Sequence, residues 1–298
     1  PVTLADEHAP SRRRLGCLIS ALVVSALVVA LAYIGVQWWR GGMDLGGQVC
    51  RATSGEDTVS FTPEQMDNAA TIVGIAMGRG LPARAGTIAI ATAIQESKLR
   101  NINYGDRDSL GLFQQRPSQG WGTEEEILNP EYSTNTFYDA LVKVPDWENG
   151  VITEVAQKVQ RSAFPDAYGD HETEGRVIAS TLAGHTRSSL VCRLDSPTWH
   201  SETDDLITDL ERHLGVAGTI SEDARTLVVD AGDEREAWSV GQYLVAKAER
   251  HTITAVVVGD QRWVRSSGPS ALSWEAAGDE GASGPTQVVA TLTPPASG

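Results

Sequence analysis

The fold is decided by an apolar helical stretch, Ala-Ile-Ala-Thr-Ala-Ile-Gln-Glu-Ser at residues 89–97. Pro82 marks the start of the predicted helix, which we expect to run from there to about Ser97. The helix is apolar nearly all round and rich in alanine, which is typical of a central helix surrounded by others. The stretch therefore predicts a helical core whose central helix ends on an acid, Glu96.

Two effects should oppose ionisation of the Glu96 carboxyl. Desolvation by the apolar surroundings disfavours the charged form, and the C-terminus of a helix presents partial negative charge to it. A carboxylic acid that keeps its proton near neutral pH can protonate a leaving oxygen, which is what cleavage of a glycosidic bond needs. Glu96 is thus the candidate general acid; the alternative is a glutamate that simply points to solvent, as most do.

A second motif, Gly-Leu-Phe-Gln-Gln at residues 111–115, follows Glu96. With Gln-Glu-Ser at 95–97, it resembles the Glu-Ser and Gly-Leu-Met-Gln signature of soluble lytic transglycosylases. That family shares a lysozyme-like fold with goose-type lysozymes and cuts the glycan strands of peptidoglycan. Residues 129–141 resemble a later helix of such domains, and residues 104–121 and 155–168 are most similar to membrane-anchored cell-wall hydrolase-like proteins of actinobacteria. The family's Ala-Tyr-Asn motif is absent.

The resemblance covers about residues 60–193 and implies a glycan-binding groove beside Glu96. In such a groove Gly111 would let the backbone approach the sugar, and Gln114 would hydrogen-bond an N-acetyl or hydroxyl group. Ser97 is expected to support Glu96 by a hydrogen bond. Further candidates for sugar contact, each explained equally well by packing, are Tyr104, Gln115, Trp121, Gln160 and Tyr168.

Two aspartates decide between two reaction mechanisms. Asp106 and Asp108 follow Glu96 on a segment that can fold back over the site, although Gly-Asp-Arg-Asp is also ordinary turn chemistry. A muramidase that inverts needs a second carboxylate about 6.5–9.5 Å from the acid. A lytic transglycosylase, as the resemblance implies, needs none, because Glu96 then helps the sugar's own 6-hydroxyl to attack. We prefer the transglycosylase, acting on the β-1,4 bond between N-acetylmuramic acid and N-acetylglucosamine, since no second carboxylate stands out.

A function of a different class stays open. The chain could be a non-catalytic wall-binding or assembly component of a secretion or conjugation apparatus, in which the groove only binds glycan. The substitution Glu96→Gln separates these hypotheses, because an enzyme loses lytic activity whereas a scaffold loses nothing.

Composition argues against several other functions. The formal net charge of −15 disfavours a nucleic-acid partner, because binding phosphates requires a basic surface. The six histidines lack zinc-ligand spacing and none lies in a triad-like context, so we expect neither a metal nor another cofactor.

The N-terminal region predicts a membrane anchor. An apolar run from Leu15 to Val36 follows three arginines at 12–14. A run of 22 residues spans about 33 Å as a helix, close to the thickness of the hydrocarbon layer. We therefore expect a cytoplasmic tail at 1–14 and a single transmembrane helix at 15–39, with the later domains outside the cell. A cleaved signal peptide is the alternative, because Ala-Leu-Ala at 30–32 fits a cleavage site.

The remaining chain is predicted to form a mainly α lysozyme-like domain and a small α+β accessory domain. The predicted boundaries are a linker at 40–60, the lysozyme-like domain at 61–193, a linker with a short helix at 194–224 and the accessory domain at 225–298. No alternating strand pattern competes with helix between 61 and 193. Beyond the central helix, we expect helices after Thr62 and at about 133–142, 150–160, 172–183, 202–214 and 235–250, and strands at 226–229, 252–258, 261–265 and 287–292.

The cysteines predict one disulfide. Cys50 and Cys192 bracket the lysozyme-like region, and a bridge between them would persist in an oxidising compartment. The third cysteine, Cys17, belongs to the predicted anchor. Two unpaired thiols are the alternative, because the total is odd.

Overall fold

The computed structural model describes residues 47–160, 167–199, 203–278 and 284–293. The predicted tail and anchor at 1–39, with most of the linker that follows, lie outside the described residues. The helices, in chain order, are α1 (Pro63–Gly78), α2 (Ala83–Ser97), α3 (Glu124–Ile127), α4 (Pro130–Leu141), α5 (Ile152–Gln160), α6 (Glu172–Leu182), α7 (Thr203–Leu214) and α8 (Glu234–Ala246). The strands are β1 (Val49–Ser54), β2 (Asp57–Phe61), β3 (Leu190–Arg193), β4 (Thr219–Ile220), β5 (Thr226–Asp230), β6 (Ile253–Val258), β7 (Gln261–Val264), β8 (Glu275–Ala276) and β9 (Gln287–Leu292).

Helix α2 is the central helix, as its apolar pattern predicts. Ten consecutive residues from Ala85 to Ile94 are buried, and the helix packs against α1, α4, α5 and α6. The helix ends because Lys98 and Leu99 both adopt left-handed backbone conformations, with φ of 56° and 58°. Glu96 therefore lies in the last turn of the buried helix.

The start of α1 also follows its sequence signal. Thr62 caps the helix through a hydrogen bond from the Gln65 backbone, and the Gln65 side chain accepts one from the Thr62 backbone. This capping box satisfies two backbone donors at once, so the helix begins at Pro63.

A three-stranded antiparallel sheet with strand order β2-β1-β3 joins the two ends of the helical region. Cys50 of β1 pairs directly with Cys192 of β3 in the register of this sheet. The two sulfur atoms form a disulfide that joins positions 142 residues apart. The predicted Cys50–Cys192 bridge is confirmed.

A six-stranded antiparallel sheet with strand order β4-β5-β9-β6-β7-β8 forms the last part of the chain. Helix α8 packs against β3, β6 and β9. The fully buried Gln242 of α8 accepts hydrogen bonds from the backbones of Ser189 and Leu190 and donates one to the carbonyl of Thr181. Residues Gly47–Gly298 form one compact unit, while the predicted division at residues 194 and 225 stays a prediction.

The prediction of a mainly α catalytic domain is wrong, because the described residues are mixed α/β, with 44% helix, 18% strand and two antiparallel sheets. Strands β1 and β2 lie largely in the segment predicted as a linker, where their polar residues hid the strand pattern. Strand β3 shows no alternation of apolar and polar residues, because all four of its residues are buried.

The prediction of a single-pass membrane protein is likewise not supported. None of the described helices is long and apolar enough to cross a bilayer. The 16 residues of α1, for example, rise only about 24 Å, which is less than the hydrocarbon thickness of about 30 Å. The proposed span at 15–39 lies outside the described residues.

Candidate active site

The Glu96 carboxyl is half-buried and held by two side chains from distant parts of the chain. Its Oε1 accepts a hydrogen bond of 2.6 Å from the Tyr168 hydroxyl and one of 3.3 Å from Nε2 of Gln160. Burial raises the pKa of Glu96 above its ordinary value, and the two hydrogen bonds oppose that rise because they favour the carboxylate. The site thus holds an acid whose proton is retained to a higher pH than usual.

Gln160 and Ser97 connect Glu96 to the loop at residues 111–115. Nε2 of Gln160 also donates to the carbonyl of Phe113, at 2.7 Å. The Ser97 hydroxyl donates to the carbonyl of Leu112, also at 2.7 Å, and to that of Ala93 at 3.1 Å. Ser97 therefore holds the loop against the end of α2, and its hydrogen bonds go to these two carbonyls and not, as predicted, to the Glu96 carboxyl.

The loop is closed by two backbone hydrogen bonds between Leu110 and Gln115, of 2.9 and 3.0 Å. Gly111 has φ of +76°, and a Cβ at this position would lie 2.7 Å from the carbonyl oxygen of Ile127. The Ile127 backbone thus occupies the space beside the Cα of Gly111, where the resemblance predicts a sugar. Glycine at this position is a requirement of packing and of backbone conformation.

The two glutamines of the motif have different surroundings. Gln115 is 1% exposed, and its Nε2 donates to the carbonyl of Ser133 at 3.0 Å, so it belongs to the core. Gln114 is half-buried, and its Nε2 donates to the carbonyl of Tyr104 at 3.3 Å. The Tyr104 side chain itself is 69% exposed beside this loop. Of these three candidates, Gln114 and Tyr104 are accessible to a ligand.

Neither predicted second carboxylate shares a hydrogen-bond or ion-pair partner with Glu96 among the described residues. Asp108 accepts a hydrogen bond of 2.6 Å from Nε of Arg116 and one of 2.8 Å from the backbone of Ser118. Hydrogen bonds from Ser118, reinforced by Arg116, hold the pKa of Asp108 well below its usual range. The Asp106 side chain is 93% exposed, with only Arg107 nearby at 3.9 Å. Asp108 thus stabilises its loop, and Asp106 projects into solvent.

A groove of about 660 Å³ lies next to Gln160, which lines the groove and donates a hydrogen bond to Glu96. Glu96 itself does not line this groove and is connected to it through Gln160. Its walls include Trp121, Tyr132, Lys143 and Lys158. Tyr168 does not line this groove, because it is fully buried and acts on Glu96 from the protein side. The sequence singled out Trp121 and Gln160, but Tyr132 and the two lysines carry no local motif and were missed.

No group of three potential metal ligands occurs within the parts of the chain that the structure describes. No protein-family model matches the chain, and no curated protein does.

Proposed function

We propose that the protein cleaves peptidoglycan glycan strands at the β-1,4 bond between N-acetylmuramic acid and N-acetylglucosamine. The observation that carries the proposal is the setting of Glu96, whose pKa is raised by burial in the last turn of an apolar helix. Tyr168 and Gln160 fix this carboxyl, and Gln160 also lines a groove that is open to a ligand. A positioned acid of raised pKa is what general acid catalysis at a glycosidic oxygen requires.

The reaction proceeds in two proton transfers through one residue. Protonated Glu96 donates its proton to the bridging oxygen as the bond from C1 of N-acetylmuramic acid to that oxygen breaks. N-acetylglucosamine leaves with a free 4-hydroxyl, and C1 takes on oxocarbenium character. The Glu96 carboxylate then accepts the proton of the 6-hydroxyl while O6 bonds to C1, which gives a 1,6-anhydro end and regenerates the acid.

The hydrogen-bond donors around Glu96 support this double role. While Glu96 is a carboxylate, the Tyr168 hydroxyl and the Gln160 amide donate to it and stabilise its charge. A muramidase would need Asp106 or Asp108 as a base, but the lowered pKa of Asp108 makes it a weak base, and the Asp106 side chain projects into solvent. These two observations favour the transglycosylase over the hydrolytic muramidase.

The test combines zymography on purified wall with mass spectrometry of the released muropeptides. Wild type should lyse the wall and release anhydro-ended products, whereas Glu96→Gln should be about 10²–10⁴-fold slower. The matched control is Glu211→Gln, which changes an exposed glutamate of α7 and should leave lysis intact. Reducing-ended products would indicate a muramidase, and a wild type that binds wall without lysing it would indicate a non-catalytic component.

A further inference from the structure

We propose that the groove beside Glu96 selects glycan strands that carry stem peptides, and that Lys143 and Lys158 bind the carboxylates of those peptides. The inference rests on the proposed function, because it specifies the substrate of the same site. Three observations support it: the rarity of lysine in the chain, the charge balance of the groove and the shape of its walls.

Lysine is rare in this chain. Of the 24 basic residues only four are lysines, namely Lys98, Lys143, Lys158 and Lys247. Lys247 is 1% exposed, and its Nζ forms an ion pair with the carboxylate of Asp67 at 3.0 Å. Two of the three remaining lysines line the groove, and both are exposed.

The charge of the groove is positive, although the chain carries a net charge of −15. The other charged residue in its walls is Asp139, whose carboxylate lies 2.6 Å from Nη2 of Arg79 and is neutralised by it. No carboxylate of the described residues forms an ion pair with Lys143 or Lys158. The groove therefore presents two uncompensated ammonium groups, which favour an anionic ligand.

The walls of the groove are formed by packed residues. Gly122, with φ of +135°, follows Trp121, and a Cβ on it would lie 2.8 Å from Cε1 and Oη of Tyr132. The segment around Trp121 is thus packed directly on Tyr132, and glycine makes this contact possible. A volume of about 660 Å³ is ample for several groups of a ligand besides the sugar, since sites for drug-sized molecules measure about 300–1,000 Å³.

A stem peptide meets the requirements of this groove. The peptide is attached to N-acetylmuramic acid, the sugar whose bond from C1 to the bridging oxygen is broken at Glu96. A strand bound at Glu96 therefore brings its stem peptide close to the groove, because Gln160 both lines the groove and bonds to Glu96. Stem peptides bear free carboxylates, and lysine ammonium groups bind such anions as flexible point charges. Trp121 and Tyr132 supply apolar surface for the rest of the peptide.

The experiment compares defined glycan oligosaccharides that bear stem peptides with the same strands after an amidase has removed the peptides. Cleavage is measured as kcat/KM with active enzyme, and affinity is measured in a Glu96→Gln background. The double variant Lys143→Gln/Lys158→Gln should lose about tenfold in both quantities on peptide-bearing strands, and less than about twofold on stripped strands. The double variant Lys143→Arg/Lys158→Arg should retain the preference, because it keeps both charges. The control Arg187→Gln/Arg225→Gln removes two exposed charges elsewhere and should change neither quantity.

Several results would overturn the proposal. Equal losses on both kinds of strand would mean that the lysines act on the glycan itself, and no loss would mean that they bind nothing. A loss seen on native wall but absent with the defined, phosphate-free strands would assign the lysines to phosphate polymers. If wild type cuts neither strand while its affinity still depends on the peptide and on the lysines, the proposed function fails and this inference stands.

Discussion

The Tyr168 hydroxyl lies 2.6 Å from Oε1 of Glu96, although the two residues are 72 positions apart in the chain. Tyr168 is fully buried, so packing fixes its ring and aims the hydroxyl at the carboxyl. The hydrogen bond favours the charged form of Glu96, whereas burial favours the neutral form. The balance between these two effects sets the pH range over which Glu96 can donate a proton.

Tyr168→Phe should raise the pKa of Glu96 further, because it removes a donor to the carboxylate and leaves burial in place. A general acid works while it is protonated, so the alkaline limb of the profile of kcat against pH should move to higher pH. The matched control is Tyr138→Phe, which removes another buried hydroxyl, one that donates to the carbonyl of Ile72. Both variants should lose about 0.5–1.5 kcal/mol of stability, and only the first should move the limb. If the alkaline limb of the Tyr168→Phe profile does not move, or moves to lower pH, the result contradicts this role for Tyr168.

Sequence patterns predicted the helices whose ends and buried faces are determined by residues close together in the chain. The capping residues Thr62 and Gln65 begin α1 as expected, and the apolar stretch ending at Glu96 forms the central helix. Strand β3 could not be read in this way, because its residues are buried on both faces and show no alternation. The three-stranded sheet was therefore missed, whereas β5, β6, β7 and β9 of the six-stranded sheet lie where the sequence predicts strands.

The candidate site was predictable only in part, because most of its contacts are non-local. Glu96 was singled out as a candidate from a helix end and a motif, both of which are local in sequence. The contact of Tyr168 with Glu96 depends on how α2 packs against the turn at Gly169–His171. Gln115 belongs to the same motif as Gln114 but is buried, and only tertiary packing distinguishes the two.

Removal of the Cys50–Cys192 bridge should strongly destabilise the fold. The bridge closes a loop of 142 residues, for which the chain-entropy model gives about 5 kcal/mol. Cys50→Ala/Cys192→Ala should therefore lower the free energy of unfolding, measured by denaturant titration, by about 3–5 kcal/mol. Reduction of the wild type should lower it by a similar amount, and reductant should not affect the double variant. A loss below about 1 kcal/mol would show that the closed loop contributes little.

Gly111→Ala should destabilise the fold more than Gly120→Ala. The two glycines have nearly the same backbone angle, with φ of +76° and +79°, so the conformational cost of alanine is similar. A Cβ on Gly111 meets the carbonyl of Ile127 at 2.7 Å, whereas nothing lies within 4 Å of a Cβ on Gly120. We expect a loss of about 1 kcal/mol for Gly120→Ala and about 1–3 kcal/mol more for Gly111→Ala, measured by denaturant titration. Equal losses would mean that the loop moves away from Ile127 at no cost.

Stability should fall between about pH 6.5 and pH 4 because of His213. Burial, with the nearby Lys247, lowers the pKa of His213 to about 4, while an unfolded histidine has a pKa of about 6.5. The unfolded state thus binds more protons in this range, so the stability present above pH 6.5 is lost as pH falls towards 4. The difference between these two pKa values corresponds to about 3 kcal/mol.

His213→Asn should reduce this dependence on pH. An asparagine amide can still reach the Tyr243 hydroxyl, which lies 2.7 Å from Nδ1 of His213, but it does not titrate. The slope of unfolding free energy against pH should flatten between 6.5 and 4, whatever the loss of stability at neutral pH. The control His185→Asn changes an exposed histidine and should keep the slope. An unchanged slope in His213→Asn would assign the pH dependence to other groups.

Asp106→Asn should leave the wall-lytic rate within about twofold, because its exposed carboxylate projects into solvent and takes no part in the proposed mechanism. Asp108→Asn should lower the thermal unfolding temperature, since it weakens the contacts with Arg116 and Ser118 that hold the loop. Mass spectrometry should still find anhydro-ended products from both variants at temperatures where they are folded. If either variant folds normally yet loses activity, and wild type releases reducing-ended products, that aspartate acts as the base of a muramidase.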